Sequence, residues 1–300
     1  MKTRTSEYNA KVIGSYAYEL LSGEKKAHVF SQISKGFFVQ LSNVKLVFFS
    51  YEPYRGPLTI NVSLLEGSLP VLSQEEPLII SHDKLWFPAE ELSIHLGSAD
   101  IWYTPQSKGV PLPIEKRKSL IRELASAAIQ QIDPDNTSLI YPELFDFADI
   151  DANGVNQYPE ISVEIENIRS FLKMRDVSSM LRDLKSFLGK GSGLTPSGDD
   201  FVLGLILALN RWESKITPGV DQPAINKAIT KAAYQATTSL SANLIECACL
   251  GLADERLISA VDFLAVGDQS LSKVLSGLRS WGNSSGIDAL VGMMTAMSAG

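Results

Sequence analysis

Residues 189–204 read Gly-Lys-Gly-Ser-Gly-Leu-Thr-Pro-Ser-Gly-Asp-Asp-Phe-Val-Leu-Gly, a spacing of residue types able to hold and process an anion. Gly189, Gly191 and Gly193 alternate, hydroxyls follow at Thr195 and Ser197, and Asp199 and Asp200 stand together ahead of the apolar run from Phe201 to Leu209. Glycine lets the backbone turn tightly and approach a ligand closely. Thr195 and Ser197 are good N-cap residues, and Pro196 suits a first helical turn. The stretch therefore reads as a glycine-rich loop entering a buried helix, whose free N–H groups and positive dipole end suit an anion. Gly191, Gly193, Thr195, Ser197 and Gly198 are candidate substrate-binding residues. Asp199 and Asp200 are the candidate catalytic pair, either as a general base or as ligands to Mg2+. The plainer alternative is that one of them only completes a cap and favours the dipole.

The signature recurs. Ser197-Gly198-Asp199-Asp200 with Gly204, and Ser285-Gly286-Ile287-Asp288 with Gly292, both follow S-G-x-D-x-x-x-G. Each has a serine, an aspartate three residues on as in a capping box, and a glycine one turn deeper. A glycine inside a helix costs about 1 kcal/mol relative to alanine, so Gly204 and Gly292 imply a close helix–helix or helix–ligand approach. The expectation is that the two helix starts face one another across one site. Backbone N–H groups near Ser197–Asp199 and Ser285–Ile287 would then hold phosphate or carboxylate oxygens, with Thr195, Ser197, Ser284 and Ser285 orienting them. Gly286 and Asp288 join the substrate-binding set. Two ordinary capping boxes are the alternative.

Other motifs carry less. Gly-Lys-Gly-Ser at 189–192 resembles the end of a P-loop, but position 184, where a glycine is required, is Leu184. No βαβ pattern surrounds the loop, so a dinucleotide fold is excluded as well. Thr237, Thr238, Ser239, Ser241 and Asn243 form a polar patch in a stretch read as one helix, 223–250; buried hydroxyls need partners, either their own helix carbonyls or the same pocket. Asn243 is the hardest to satisfy locally and is added to the site. Asp149-Ile150-Asp151-Ala152-Asn153-Gly154 through Glu160 matches the calcium-loop pattern of EF-hands, yet Asn156 stands at the usual apolar position and Pro159 precedes the glutamate. Calcium at 149–160 and a polar linker are the two readings. His28, His82 and His95 lie singly among apolar residues, and no Ser-His-Asp or Cys-His set can be assembled near the glycine loop. No metal site is assigned beyond the Mg2+ and Ca2+ alternatives.

These motifs need elements to position them. A chain of 300 residues with 45% hydrophobic content can bury a substantial core. The net charge of −7 argues against nucleic acid as a partner. The longest apolar run is too short to span a bilayer, no signal pattern is evident, and Cys247 and Cys249 read as small buried hydrophobes. A cytoplasmic protein is expected. After a short helix over 12–21, segments 28–33, 37–41, 44–50, 58–64, 78–82 and 101–103 read as strands separated by turn residues, implying a small β-barrel or sandwich. The Pro/Gly-rich stretch 105–113 marks a boundary. Helical patterns follow at 114–132, 161–174, 177–188, 200–212, 223–250, 255–266, 270–281 and 285–298. The fold class is α+β: a β-rich domain at 1–110, then an α-helical bundle at 111–300 that carries both signature loops.

The run Gly191-x-Gly193-Leu194-Thr195-Pro196-Ser197-Gly198-Asp199-Asp200-Phe201 resembles the hallmark of a bacterial family long labelled a domain of unknown function. That family includes the H subunit of the allantoin-utilisation oxamate carbamoyltransferase. Gly282-Asn283-Ser284-Ser285-Gly286-x-Asp288 is similar to its second motif, in which a histidine often stands in place of Asn283, and the resemblance adds Asn283 to the substrate-binding set. Thr238-x-x-Ser241-Ala242 matches a weaker third motif, and Tyr54-Arg55-Gly56-Pro57-Leu58-Thr59-Ile60 is similar to the family's N-terminal region. The resemblance implies a carbamoyltransferase subunit with partner subunits of acyl-CoA-synthetase-like type. It implies chemistry between carbamoyl phosphate and oxamate, giving oxalurate and phosphate, in either direction. A stand-alone phosphate- or nucleotide-binding enzyme and a non-catalytic assembly subunit are the alternatives.

Overall fold

The structure is a computed structural model that describes residues 6–23, 26–41, 44–63, 70–74, 77–81, 83–131, 138–151, 158–216 and 219–299. The chain divides into two compact units, Met1–Pro105 and Gln106–Gly300.

The first unit is a closed β-barrel. Its strands are β1 (Ser6–Gly14), β2 (Lys26–Ile33), β3 (Gly36–Leu41), β4 (Leu46–Ser50), β5 (Thr59–Val62), β6 (Leu78–Ser81), β7 (Lys84–Phe87), β8 (Leu92–His95) and β9 (Asp100–Trp102). They pair in the order β5-β4-β3-β2-β6-β7-β8-β1, and β1 closes the ring onto β5; β9 adds to the end of β1. Closure removes the exposed strand edges that an open sheet would leave. The interior is aromatic. Phe37 stacks on Phe49 with ring centroids 4.8 Å apart and meets Phe87 edge-on at 5.8 Å. Gly36 takes a positive φ after the Ser34–Lys35 turn, and a Cβ there would come within 2.0 Å of the Phe49 carbonyl oxygen.

The expected helix over 12–21 is corrected. Residues 12–14 finish β1, and the helix α1 is Ser15–Ser22. Gly14 sets the change, because its backbone lies against the carbonyls of Gly56 and Pro57, where any side chain would clash. Strands β7 and β8, four residues each, are not among the strands expected from the sequence. His28 is exposed, His95 is half-buried with Nε2 3.9 Å from Glu7, and His82 lies outside the described residues.

The second unit is helical: α2 (Ile114–Ile129), α3 (Glu143–Ala148), α4 (Pro159–Met174), α5 (Val177–Ser186), α6 (Ser197–Ile216), α7 (Gln222–Ala236), α8 (Ser239–Cys249), α9 (Glu255–Val266), α10 (Leu271–Ser280) and α11 (Ser285–Ala299). The short α3 is unexpected, since Pro142 reads as a helix breaker; here it precedes the first helical residue, a place that needs no N–H. The single helix expected over 223–250 is two. Thr237 is extended and Thr238 caps α8 by accepting from the Ser241 N–H at 3.1 Å. The polar patch is thus a joint between helices. Helices α6 and α11 form the centre: Phe201 to Leu209 and Ile287 to Met297 are buried without interruption, as expected of helices packed on all sides.

Candidate functional site

The two signature glycines explain how α6 and α11 meet. A Cβ on Gly204 would fall 1.9 Å from the Ala289 carbonyl oxygen, and one on Gly292 would fall 2.0 Å from that of Phe201. Each glycine lies seven residues into its helix and touches the fourth residue past the start of the other. The glycine contacts bring the helices together one to two turns in, and the contact of Thr195 with Ser285 at 3.0 Å puts their N-termini together. Dipoles placed so close put two positive ends at one point.

That point is filled by the protein's own carboxyls, exchanged between the helices. The hydroxyls of Ser285 and Thr195 stabilise the Asp200 carboxylate, and those of Ser138, Ser284 and Ser197 stabilise Asp288. Each aspartate therefore has hydroxyls from both sides beside it: Ser285 of the other helix and Thr195 of its own loop at Asp200, Ser197 of the other helix and Ser284 of its own at Asp288. Pro196 and Ser284 hold the N-cap positions, their carbonyls accepting from Asp200 and Asp288 N–H at 3.1 and 3.0 Å. Asp200 and Asp288 are 1% and 0% exposed. Oδ2 of each is buried with no hydrogen-bond partner among the described residues. Burial pushes the Asp200 carboxyl well above the usual range, and the neighbouring Asp288 raises it further. Burial likewise raises Asp288, to about 7, against its hydroxyl partners.

Asp199 points elsewhere. Its Oδ1 accepts the Gly189 N–H at 2.8 Å and its Oδ2 accepts from the Thr237 hydroxyl. Thr238 donates to the Leu194 carbonyl at 2.7 Å. Asp199 and the two threonines thus clasp the glycine loop to the α7–α8 joint. The two adjacent aspartates have different partners and do not converge as a Mg2+ pair would. Among the described residues no three His, Cys, Asp or Glu side chains gather as metal ligands do. Of the calcium-like segment, 152–157 lie outside the described residues; Asp149 closes α3 in the left-handed conformation, and Pro159 and Glu160 begin α4.

Of the N–H groups expected to form a cradle at the helix starts, those of Ser197 and Ser285 have no acceptor among the described residues, whereas the next two in each helix are engaged. Gly198 N–H donates to Lys190 O at 2.9 Å, and Asp199 N–H to Pro196 O at 2.9 Å. Gly286 N–H donates to Trp281 O at 3.1 Å, and Ile287 N–H to Ser284 O at 2.9 Å. Both loops fold back to satisfy groups that a helix start would otherwise leave open. Gly198 and Gly286 are packing glycines, since a Cβ on either would meet the Phe187 or Leu278 carbonyl oxygen at 2.1 or 2.0 Å. Further open donors lie one step earlier in the first loop. The N–H groups of residues 191–195 donate to no described residue, and 191–194 are exposed. Gly191 and Gly193 hold φ of +117° and +92°, and the space beside Gly193 is empty to 4 Å. Successive backbone donors of this kind form an anion-binding nest. Thr195 brings the nest to the second loop, its Oγ1 standing 3.0 Å from Ser285 Oγ.

Of the remaining candidates, Ser284 is half-buried and Asn283 exposed on that second loop. Asn243 is buried but donates to Ser239 O of its own helix at 2.7 Å, the local satisfaction that its type had argued against. Lys190 is bound to Glu164 at 2.8 Å. Ser138 is missed by sequence reasoning. It donates to Asp288 while accepting from the Ile140 and Tyr141 N–H groups, and no motif surrounds it.

Fold and site define an α+β chain whose helical unit is built on a duplicated Ser-Gly-x-Asp helix start. Residues 187–297, which span α6 to α11 and both signature loops, match the family model described as oxamate carbamoyltransferase subunit AllH. It is the family that the sequence resemblance names. Comparison with curated proteins and with solved structures gives no match. No helix among the described residues is long and apolar enough to cross a membrane.

Proposed function

We propose that the chain is a subunit of a carbamoyltransferase-type complex acting on small anionic substrates, carbamoyl phosphate with oxamate or a related carboxylate. The observation that carries this reading is the meeting of Thr195 and Ser285, which joins two hydroxyl-bearing loops from distant parts of the chain beside a row of open N–H groups. The family match over the same segment supports it. The nest at Gly191–Thr195 would take phosphate or carboxylate oxygens. Thr195, Ser284, Ser285 and Asn283 would orient the second group. Asp199 would hold the loop, and Asp200 and Asp288 would act through the hydroxyls in front of them. Partner subunits of acyl-CoA-synthetase-like type would complete the site, and the complex would work in the cytoplasm.

A non-catalytic assembly role is favoured by a different observation: all three aspartates are buried, and the N–H groups of Gly198, Asp199, Gly286 and Ile287 are internally satisfied. One experiment separates the two. The chain is produced together with its native partner subunits, and oxalurate is measured from carbamoyl phosphate and oxamate. The first reading requires turnover that falls at least ~10-fold in Ser285→Ala with the complex intact, the scale of a lost transition-state contact. Unchanged turnover in that variant leaves the assembly role.

A further inference from the structure

Asp200 and Asp288 belong to different helices whose starts meet at the Thr195–Ser285 contact, near enough for the charge of one to act on the other. Each is buried, the neighbouring side chains that stabilise its charge are all hydroxyls, and its Oδ2 has no partner among the described residues. Among the described residues, the buried and half-buried basic side chains of the surrounding elements are engaged elsewhere, Arg169 of α4 with Asp146 and Glu166. Lys190 pairs with Glu164 of α4, Arg117 of α2 reaches the Met297 carbonyl at the far end of α11, and Arg211 of α6 pairs with Asp262 of α9. Arg256 of α9 pairs with Asp254, and Arg279 of α10 bonds Gln131. On the acidic side, Asp199 adds negative charge beside Asp200, Glu143 of α3 bonds Ser162 of α4, and Glu246 of α8 bonds Tyr234 of α7. Two like charges in a low-dielectric interior, with no cation beside them among the described residues, cannot both persist, so one proton stays with the pair. The hydroxyls in front of it, those of Thr195, Ser284 and Ser285, are half-buried and stand at the rim.

We propose that Asp200 and Asp288 act as one carboxyl dyad that keeps a proton behind the rim of Thr195, Ser284 and Ser285 and lends it to the ligand held there. This rests on the proposed carbamoyl transfer. When phosphate attacks the carbamoyl carbon of oxalurate, a C–O bond forms, the C–N bond breaks, the leaving nitrogen gains one proton and phosphate gives one up. A hydroxyl of the rim hands its proton to the nitrogen and takes one from the dyad, which phosphate then refills. In the opposite direction the same proton travels from nitrogen to phosphate. The aspartates are positioning and proton-storing groups; the hydroxyls touch the substrate.

The test begins with NMR of the full chain carrying 13C-labelled aspartate, its carboxyl signals assigned with Asp200→Asn, Asp288→Asn and Asp254→Asn. One of the two dyad carboxyls should still be protonated at neutral pH, and Asp288→Asn should lower the midpoint of Asp200 by a unit or more. Both carboxyls fully ionised by pH 5 overturns the dyad. Should an assigning variant not fold, potentiometry of the wild-type chain replaces it: the folded state should bind at least one more proton than the unfolded state at pH 6, and no excess overturns the proposal. In the assembled complex, Thr195→Val with Ser285→Ala should lower kcat at least tenfold while changing KM for phosphate less than threefold. Unchanged kcat overturns the proton transfer. A wild-type complex without carbamoyl transfer sinks the functional reading and the transfer step together, and the NMR result still decides whether the dyad exists.

Discussion

Thr195 Oγ1 and Ser285 Oγ stand 3.0 Å apart, although ninety positions of sequence separate them. The contact is possible because Gly204 and Gly292 let α6 and α11 approach backbone to backbone, bringing their starts together. Geometry at the site is thus set by glycines a full turn or more deeper in the helices.

Gly204→Ala and Gly292→Ala should each lower stability by about 3 kcal/mol or more, because a Cβ would overlap a carbonyl of the facing helix and force the pair apart. Gly277→Ala in α10 is the control. Its nearest neighbour is Arg256 at 3.6 Å, so it should stabilise by roughly 0.5–1 kcal/mol through helix propensity alone. Urea unfolding of the three variants checks both signs.

Asp199→Ala should cost about 1–3 kcal/mol and loosen the glycine loop, since the Gly189 N–H and the Thr237 hydroxyl lose their acceptors. Asp199→Asn keeps an acceptor oxygen and should lose about 1 kcal/mol or less. If Asp199→Asn instead abolishes turnover of the complex while melting normally, Asp199 does chemistry and the clasp is not its main role.

Stability should fall as pH rises from about 4 towards 7, the window between an ordinary carboxyl and the raised Asp288. Within that window the folded state holds a proton that the unfolded state has released, so the slope of unfolding free energy against pH is negative. The raised Asp200, Asp254 and Glu143 act in the same direction. Asp288→Asn should flatten the slope. Denaturant titrations at pH 4.5 and 7.5 measure it; a wild-type chain more stable at 7.5, with no difference in the variant, contradicts the assignment.

Asp262→Ala should cost about 3–5 kcal/mol, the penalty of removing one partner from a buried ion pair. Arg211 is bound by Asp262 at 2.6 Å and 2.7 Å, and Trp212 Nε1 donates to the same carboxylate at 3.0 Å. Trp212 fluorescence reports the change directly.

The sequence made some of this legible and hid the rest for identifiable reasons. Serine, aspartate and glycine at matched spacing announced two related helix starts, and the buried glycines announced a close approach. Which serine serves which aspartate was not readable, because a local capping box and an exchange across helices use the same residues. Ser138 carried no signal, since its role depends on a helix that comes far later in the chain. The joint at Thr237–Thr238 was hidden because flanking apolar residues keep helical spacing on both sides, and threonine only weakly opposes a helix. The barrel was readable from turn residues between short apolar runs. Strand β1 was not, because Gly14 ends it for a reason that lies in Gly56 and Pro57.

The exchange of carboxyls also bears on how the chain acquires its shape. Four helices intervene between α6 and α11. Until α11 arrives, the first signature loop lacks the hydroxyl of Ser285, Ser197 faces no carboxyl, and Gly204 lies in an open groove. The N-terminal signature therefore gains its final form only when the later one joins it. Contacts of such separation delay folding, because chain closure must precede the energy they return. Both helix starts should accordingly protect their amides in a single step, and hydrogen exchange at Asp200 and at Asp288 should report one shared opening.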